Sequence, residues 1–327
     1  MAFSNTYDTT NPGSGVSNRE DLTDILTILA PEETPVLSSA PKSKATATFV
    51  EWTVDSLAAP VTTGVAEGSD VSSFTDKFSG RARLGNYVQK FRRDFMVSDL
   101  QDAVESVGPA KIAEAEAKSA RELKRDVEAT ICSANDRTAE DGAGTVYGLR
   151  GLGSWIDSAG HADIPADYRT PADSIHSTGA LTESGFNDLI TSIYRVTGST
   201  NNLTLVADTA LRRVIADYAR TSGSTNAVYR QVTQTADSKT IKLSVEMYES
   251  DHGMVSIVNM NPDCAPDTSN KDTGYLINPD YYGVAELIGL GSTRLPNQGG
   301  GERGYVDTTL SLLVKHPGAH GKITAIA

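Results

Sequence analysis

The sequence predicts an α+β fold, because strand-like and helix-like periods occupy separate stretches of the chain. Two alternating, strand-like segments, 45–54 and 81–97, lie in the first hundred residues. A long amphipathic helix is expected at 109–132, and helices and strands alternate after residue 180. With 327 residues, of which 39% are hydrophobic, the chain can bury a substantial core.

The amino-terminal region has little material for a core of its own. Polar residues 1–18 lead into a short amphipathic run at 18–29, and prolines stop a helix from continuing at Pro31, Pro35 and Pro41. The two strand-like segments predict a long hairpin at 45–97. Because an isolated two-stranded hairpin is marginally stable in water, we expect the arm and the hairpin to pack on another subunit.

The predicted hairpin separates its charges. Its tip, 55–80, holds four acidic residues and one lysine, whereas the limb 81–93 holds five cations and no acid. This favours head-to-tail contact between copies, the alternative being a solvated edge strand guarded by charge. For Trp52, packing on the partner strand or a neighbour is favoured over ligand stacking. The candidate inter-subunit residues are Trp52, Arg81, Arg83, Arg92, Arg93, Asp70 and Asp76.

The long helix should begin at Gly108-Pro109, since proline suits the first helical position. Its apolar stripe comprises Ile112, Ala120, Leu123, Val127 and Ile131. Pairs at a spacing of four, Glu114 with Lys118 and Lys124 with Glu128, are expected on its exposed face.

The second half predicts helices capped by Thr182 and Asp208, with a strand at 203–207 between them. A hairpin is expected around residues 251–253, formed by strands at 241–248 and 254–260. Further strands are expected at 274–278, 305–314 and 322–326, with the last ones beside the long helix.

The sequence shows no motif that would anchor an enzyme. It lacks a G-x-S-x-G elbow, a P-loop and an H-E-x-x-H pair, and the glycine-rich stretch 142–153 lacks the G-x-G-x-x-G spacing. His316 and His320 are four residues apart, but Pro317 breaks the helix that would align them on a metal. No catalytic, cofactor-binding or metal-binding residues are therefore expected. Cys132 and Cys264 are interpreted as buried, reduced thiols.

The formal net charge of −13 argues against a protein that coats nucleic acid through general electrostatics. Acidity could equally serve solubility alone. No apolar run of roughly 20 residues and no signal-peptide pattern is present, so synthesis in the cytoplasm is expected.

Three stretches, NREDL at 18–22, ILAPEETP at 28–35 and EWTVDSLA at 51–58, resemble the amino-terminal portion of a subfamily of tailed-phage major capsid proteins. The order of arm, hairpin, long helix and α+β lobe resembles that family, with its Hong Kong 97-type capsid fold, over nearly the whole chain. The resemblance implies an N-terminal arm at 1–44, an E-loop at 45–97, a P-domain at 98–179 with spine helix 109–132, an A-domain at 180–290, and strands returning to the P-domain at 291–327.

The resemblance further implies self-assembly through pentamers and hexamers into an icosahedral virion shell. The shell would enclose double-stranded DNA without sequence-specific binding, and the polar stretch 218–239 is the candidate loop at the capsomer axis. Since the sequence starts at its arm, a separate scaffolding protein or none is expected, and portal and decoration proteins are possible partners.

Some relatives form a covalent cross-link between a lysine and an asparagine with the help of a glutamate. In this sequence Lys77 or Lys90, Asn297 and Glu51 are of the right types, but no motif connects them. The alternatives are an encapsulin-like nanocompartment shell and a soluble α+β enzyme or binding module.

Overall fold

The computed structural model describes residues 33–78, 80–104, 111–200, 202–218, 232–235, 238–241, 246–266 and 272–326. The predicted amphipathic run at 18–29, the helix start at Gly108-Pro109 and most of the stretch 218–239 lie outside the described residues. The α-helices are α1 (Pro35–Ser39), α2 (Asp99–Ala103), α3 (Lys111–Cys132), α4 (Leu152–Trp155), α5 (Glu183–Thr197) and α6 (Thr209–Tyr218). Short 3-10 turns occur at Ala166–Tyr168, Ala172–Ser174, Pro279–Tyr281 and Pro317–Ala319.

The strands form two larger sheets and two isolated pairs. They are β1 (Lys42–Lys44), β2 (Phe49–Val54), β3 (Ala82–Tyr87), β4 (Gln89–Val97), β5 (Ile175–His176), β6 (Leu203–Ala207), β7 (Val232–Thr235), β8 (Ser238–Ile241), β9 (Met247–Ser250), β10 (Gly253–Asn259), β11 (Gly274–Ile277), β12 (Tyr282–Leu295), β13 (Glu302–Val314) and β14 (Gly321–Ile323). The four-stranded sheet has the order β1-β12-β13-β4, and the six-stranded sheet has the order β5-β14-β11-β6-β10-β9.

The predicted hairpin at 45–97 is only partly correct. β2 pairs with β3 from Phe49 opposite Tyr87 to Val54 opposite Ala82, and there the pairing ends. β4 instead pairs with β13 along its whole length. The physical reason is burial: Phe91 and Phe95 lie in the main core, which they reach only in the sheet that α3 covers.

Helix α3 lies against this four-stranded sheet and carries the core stripe that the sequence predicts. Leu123, Val127 and Ile131 are buried, and Ile112 and Ala120 are half-buried against the same cluster. The expected exposed pair of Lys124 with Glu128 is wrong, because Glu128 is fully buried and accepts backbone N–H groups. At 22 residues the helix is about 33 Å long.

The second half follows its prediction closely. The Thr182 hydroxyl caps α5 by accepting from the Gly185 N–H at 3.2 Å, and the Asp208 carboxylate accepts from the Thr209 N–H at 2.6 Å where α6 begins. β9 and β10 form the hairpin expected around residues 251–253, although β9 begins at Met247 where a strand at 241–248 was expected, and residues 242–245 lie outside the described part of the chain. The hydrophobic faces of α5 and α6 pack on β6 and β10 in a second core cluster.

Two strand placements differ from the expectation. β12 joins the sheet beside α3 from Tyr282 onward, so residues 282–290 lie there and not with the lobe predicted at 180–290. β14 lies in the six-stranded sheet between β5 and β11, whereas the final strands were expected beside the long helix. Both follow from the crossovers at Pro279–Tyr281 and Pro317–Ala319, which carry the chain from one sheet to the other.

Candidate inter-subunit surfaces

A long exposed segment separates β2 from β3. In its described part, residues 55–78 and 80–81, it contains no strand or helix, and we call it the extended loop. Its large apolar side chains face solvent, with Phe74 91% exposed and Leu57 100% exposed. The exposed set is Leu57, Val61, Val65, Val71, Phe74 and Phe78. An exposed apolar row of this size is typical of a surface at which another molecule binds.

The base of the extended loop is held by polar contacts. Arg81 Nε donates to Asp55 Oδ2 at 2.8 Å, and the Tyr168 hydroxyl donates to the Gly80 carbonyl oxygen at 2.7 Å. The Arg81 guanidinium also lies 4.2 Å from the centre of the Phe78 ring. The hydrogen bond from Arg81 holds the pKa of Asp55 below its usual value. The loop therefore leaves the subunit from a fixed stem.

The cations predicted to form a basic limb all lie near carboxylates of the same subunit. Arg93 binds Asp126 of α3, and the remaining ion pairs are Lys90 with Asp307 at 3.1 Å, Arg83 with Glu51 at 3.5 Å and Arg92 with Asp94 at 3.5 Å. Arg83 and Arg92 keep more than half of their side chains exposed. The net positive charge that the limb can offer to a neighbour is thus smaller than the sequence indicates.

The predicted acidic residues of the tip remain at the surface. Asp70 is exposed, and Asp76 is exposed while its Oδ1 accepts from the Phe78 N–H at 2.9 Å. Asp76 thereby stabilises a local turn beside Phe74 and Phe78. Acidic and aromatic side chains therefore alternate at the tip.

Trp52 contacts the core of its own subunit. Its ring lies 5.6 Å from that of Trp155 on α4, which is almost completely buried. Trp155 in turn stacks on the guanidinium of Arg150 at 4.8 Å. Trp52 remains half-buried, so its outer edge is all that it can present to a neighbour.

Sequence reasoning missed the buried polar network beneath this tryptophan pair. Arg150 is 1% exposed and binds Asp136 at 2.6 Å and Asp163 at 3.0 Å. Asn86 exchanges hydrogen bonds with the Arg150 backbone and donates to the Leu312 carbonyl at 2.9 Å. Nothing in a stretch of loop residues signals an arginine so deeply buried; the partners are set by the tertiary fold.

A model of the SU10 major capsid protein family matches residues 3–327 of the chain. The chain belongs to the SU10 major capsid protein family. It is a structural protein of tailed-phage-type capsids, and this family assignment decides between the capsid and the nanocompartment interpretations.

Solved structures agree with this capsid protein in fold. The capsid of a native GTA particle matches with a TM-score of 0.63 at 14% identity over 100% of both chains. The capsid of cyanophage P-SCSP1u matches with a TM-score of 0.61 at 10% identity over 94% of this chain and 92% of that one. The encapsulin SrpI of Synechococcus elongatus matches with a TM-score of 0.54 at 12% identity over 94% and 92%. These are Hong Kong 97-type folds, as the order of elements predicts. No curated protein matches the chain.

One arrangement in this capsid protein has the composition of a catalytic triad. Ser154 Oγ lies 2.8 Å from His161 Nε2, and His161 Nδ1 lies 3.3 Å from Asp136 Oδ2. The serine is buried, and the N–H groups of Ser154 and Trp155 both donate to the Gly151 carbonyl. Those N–H groups cannot serve as an oxyanion hole. The arrangement supports packing of α4 and provides no basis for acyl transfer.

The histidines singled out in the sequence lie at the crossover from β13 to β14. His320 is fully buried and its Nδ1 accepts from the Asn278 N–H at 3.2 Å, while the His316 ring packs edge-on against Tyr168 at 5.9 Å.

Among the described residues, no group of three His, Cys, Asp or Glu side chains could hold a metal ion. In the same part of the chain, no helix is long and apolar enough to cross a membrane.

A groove of about 520 Å³ opens where β4, β12 and β13 approach the end of the four-stranded sheet. Its lining combines apolar and charged side chains: Arg92, Asp94, Phe95, Met96, Leu295, Arg303 and Tyr305. Met96 and Leu295 are exposed within it. The groove can accept a segment that carries both apolar and acidic side chains.

Proposed function

We propose that this capsid protein assembles through pentamers and hexamers into an icosahedral shell in which the extended loop of each subunit lies on its neighbour. The exposed apolar row of the loop is the observation that carries the proposal. Each of these side chains contributes roughly 1.5–3 kcal/mol when it is removed from water. Six of them per subunit, multiplied around a closed ring, supply a large driving force for association.

The groove at the end of β4 and β13 is the proposed receiving surface. Its apolar lining suits Val71 and Phe74, while Arg92 and Arg303 suit the acidic tip that carries Asp70 and Asp76. Arg92 is 61% exposed and is paired only loosely, at 3.5 Å from Asp94, so it can reorient toward a neighbour. Opposite charges there set the register of the contact more than its strength.

We further assign the segment 1–44 as the N-terminal arm, of which the part before Glu33 reaches a neighbour and residues 33–44 hold the arm to its own subunit. We assign 45–97 as the E-loop, with its last strand β4 in the four-stranded sheet, 98–179 and most of β12 and β13 as the P-domain, and the lobe from residue 180 to β11 as the A-domain. Residues 218–239 are proposed to face the capsomer axis. Trp52, Arg81, Arg83 and Arg93 act at the edges of the contact, because each already has a partner within the subunit.

The shell encloses double-stranded DNA by confinement. The net charge of −13 supports this proposal, because an acidic wall repels phosphates and releases the genome when the shell opens. A separate scaffolding protein, a portal and a decoration protein are proposed partners. The protein is proposed to be made in the host cytoplasm and to act in the virion without catalysis.

The extended loop offers a matched test. Val71 in the loop is 70% exposed and Val146 elsewhere is 71% exposed. We expect Val71→Ser and Phe74→Ser to leave the melting temperature of the isolated subunit unchanged and to reduce the yield of closed particles in negative-stain electron microscopy. Val146→Ser should change neither. Normal particle yield from the doubly substituted loop would contradict the proposal.

A further inference from the structure

Glu128 is a buried acid whose partners are not cations. It is 0% exposed on the core face of α3. Its Oε1 accepts from the Val36 N–H at 2.9 Å, and its Oε2 accepts from the Leu37 N–H at 2.8 Å. Both oxygens of one carboxylate therefore serve two adjacent backbone donors of α1.

Helix α1 needs this carboxylate because it has no cap of its own. Its first residue, Pro35, has no N–H, and the side chain of Thr34 makes no capping hydrogen bond. The N–H groups of Val36 and Leu37 would be left without partners in a buried site. Glu128, 92 positions from Val36, takes the place of the missing N-cap residue.

Further contacts fasten the same short segment. Asn261 Nδ2 donates to the Glu33 carbonyl oxygen at 2.8 Å, and the Ser39 and Tyr282 hydroxyls lie 2.6 Å apart. β1 then pairs in parallel with β12. Residues 33–44 are thus fixed on α3 and β12.

Keeping an ionised carboxylate in this position costs stability. Burial raises the pKa of Glu128 above its usual value, against the opposing effect of the hydrogen bonds from Val36 and Leu37. In some proteins a buried charge that lowers stability is retained because it specifies one arrangement of the chain over others. Here the arrangement selected is that of α1 on α3.

We propose that Glu128 is a positioning residue for assembly, which clasps α1 so that the preceding 32 residues are delivered to a neighbouring subunit. This inference rests on the proposed function of the arm. It predicts that assembly and stability respond differently to loss of the carboxylate.

The test compares Glu128→Gln with Glu114→Gln, the same change at a half-buried site on the same helix. In Glu128→Gln one N–H loses a charged acceptor and meets an amide NH₂. In the purified, unassembled chain we expect hydrogen exchange at Val36 and Leu37 to accelerate on the order of tenfold or more. The melting temperature should fall by no more than a few degrees, because relief of the buried charge offsets part of the cost of the unpaired N–H, whereas the particle yield should fall several-fold. Glu114→Gln should leave all three quantities unchanged.

Unchanged exchange at Val36 and Leu37, or normal particle yield despite faster exchange, would overturn the proposal. So would a loss of particles that the melting temperature explains, with part of the unassembled chain unfolded at the temperature of assembly, since that would make Glu128 a purely structural residue. If Glu128→Gln does not fold, Glu128→Asp takes its place, because the shorter side chain draws the carboxylate away from the Val36 and Leu37 N–H groups while it keeps the charge. The same outcomes then apply. If wild-type subunits never form particles, that result would count against the proposed function. The exchange rates at Val36 and Leu37 would still test whether Glu128 holds α1 in place.

Discussion

The guanidinium of Arg93 on β4 binds the carboxylate of Asp126 on α3 through two hydrogen bonds, of 2.5 and 2.7 Å. These bonds hold the pKa of Arg93 above its usual value. The pair ties the edge strand of the four-stranded sheet to the helix that covers it. Arg93 is thus occupied within its own subunit, whereas the neighbouring Arg92 points to the open groove.

Because of this difference, charge reversal at Arg93 should affect the stability of the subunit, whereas charge reversal at Arg92 should affect assembly. We expect Arg93→Glu to lower the free energy of unfolding of the unassembled subunit by about 1 kcal/mol, because it places two acids together, whereas Arg92→Glu should stay within about 0.5 kcal/mol of the wild type. Urea denaturation measures both. The swapped pair Arg93→Glu with Asp126→Arg should recover most of the loss; no recovery would show that the pair does not stabilise the fold.

The buried His320 should make the subunit sensitive to acid. Burial lowers the pKa of this imidazole to about 4. Since the unfolded chain binds the proton near pH 6.5 and the folded one near 4, stability is fully present above about pH 6.5 and is lost as the pH falls toward 4. The loss can reach about 3 kcal/mol.

Melting temperatures between pH 7 and pH 4 measure this effect. His320→Asn retains an acceptor for the Asn278 N–H and does not titrate, so its melting temperature should depend less steeply on pH than that of the wild type. Parallel curves for the two proteins would refute the role of His320.

Asn86 should be among the most sensitive polar positions. Its side chain bonds the Arg150 N–H, the Arg150 carbonyl and the Leu312 carbonyl, and it is fully buried. Asn86→Ala leaves buried backbone groups unpaired, so we expect a loss of about 2–4 kcal/mol in chemical denaturation. Asn135→Ala, at an exposed site, should lose less than about 0.5 kcal/mol. Equal losses would contradict the network.

Lys77 gives a readout of the extended loop without mutating its apolar row. It is exposed and lies in a segment without strand or helix, so trypsin should cut there first in unassembled subunits. In closed particles the same bond should resist cleavage, because a neighbour covers the loop. Mass spectrometry of the fragments identifies the cut, and Lys77→Gln should remove it. Equal cleavage in subunits and particles would contradict loop docking.

Local sequence patterns were sufficient to predict those elements that bury one face against elements nearby in the sequence. The apolar stripe of α3, the caps Thr182 and Asp208, and the hairpin of β9 with β10 were all found in this way. The exposed apolar row of the extended loop was not predicted, because only the charges of 55–80 were considered in the sequence.

Features that depend on distant partners could not be found from local patterns. β4 alternates as a hairpin strand would, but residue 97 pairs with residue 302. Glu128 has the spacing of an exposed pair with Lys124, yet its donors lie on α1, about 90 residues away in the sequence. In both cases the competing local interpretation was physically sound, and a long-range contact of greater burial outweighed it.

The position of β14 has a consequence for the timing of synthesis. This strand lies between β5 and β11 in the six-stranded sheet, although β5 ends at His176 and β14 begins at Gly321. At about 5–20 residues per second, a ribosome needs roughly 7–30 s to travel between them. Until then β5 lacks the strand that it pairs with, and the six-stranded sheet is open at the edge formed by β11. The six-stranded sheet can therefore be completed only after β14 has been made, and a nascent chain that lacks β14 cannot present this sheet in its finished form.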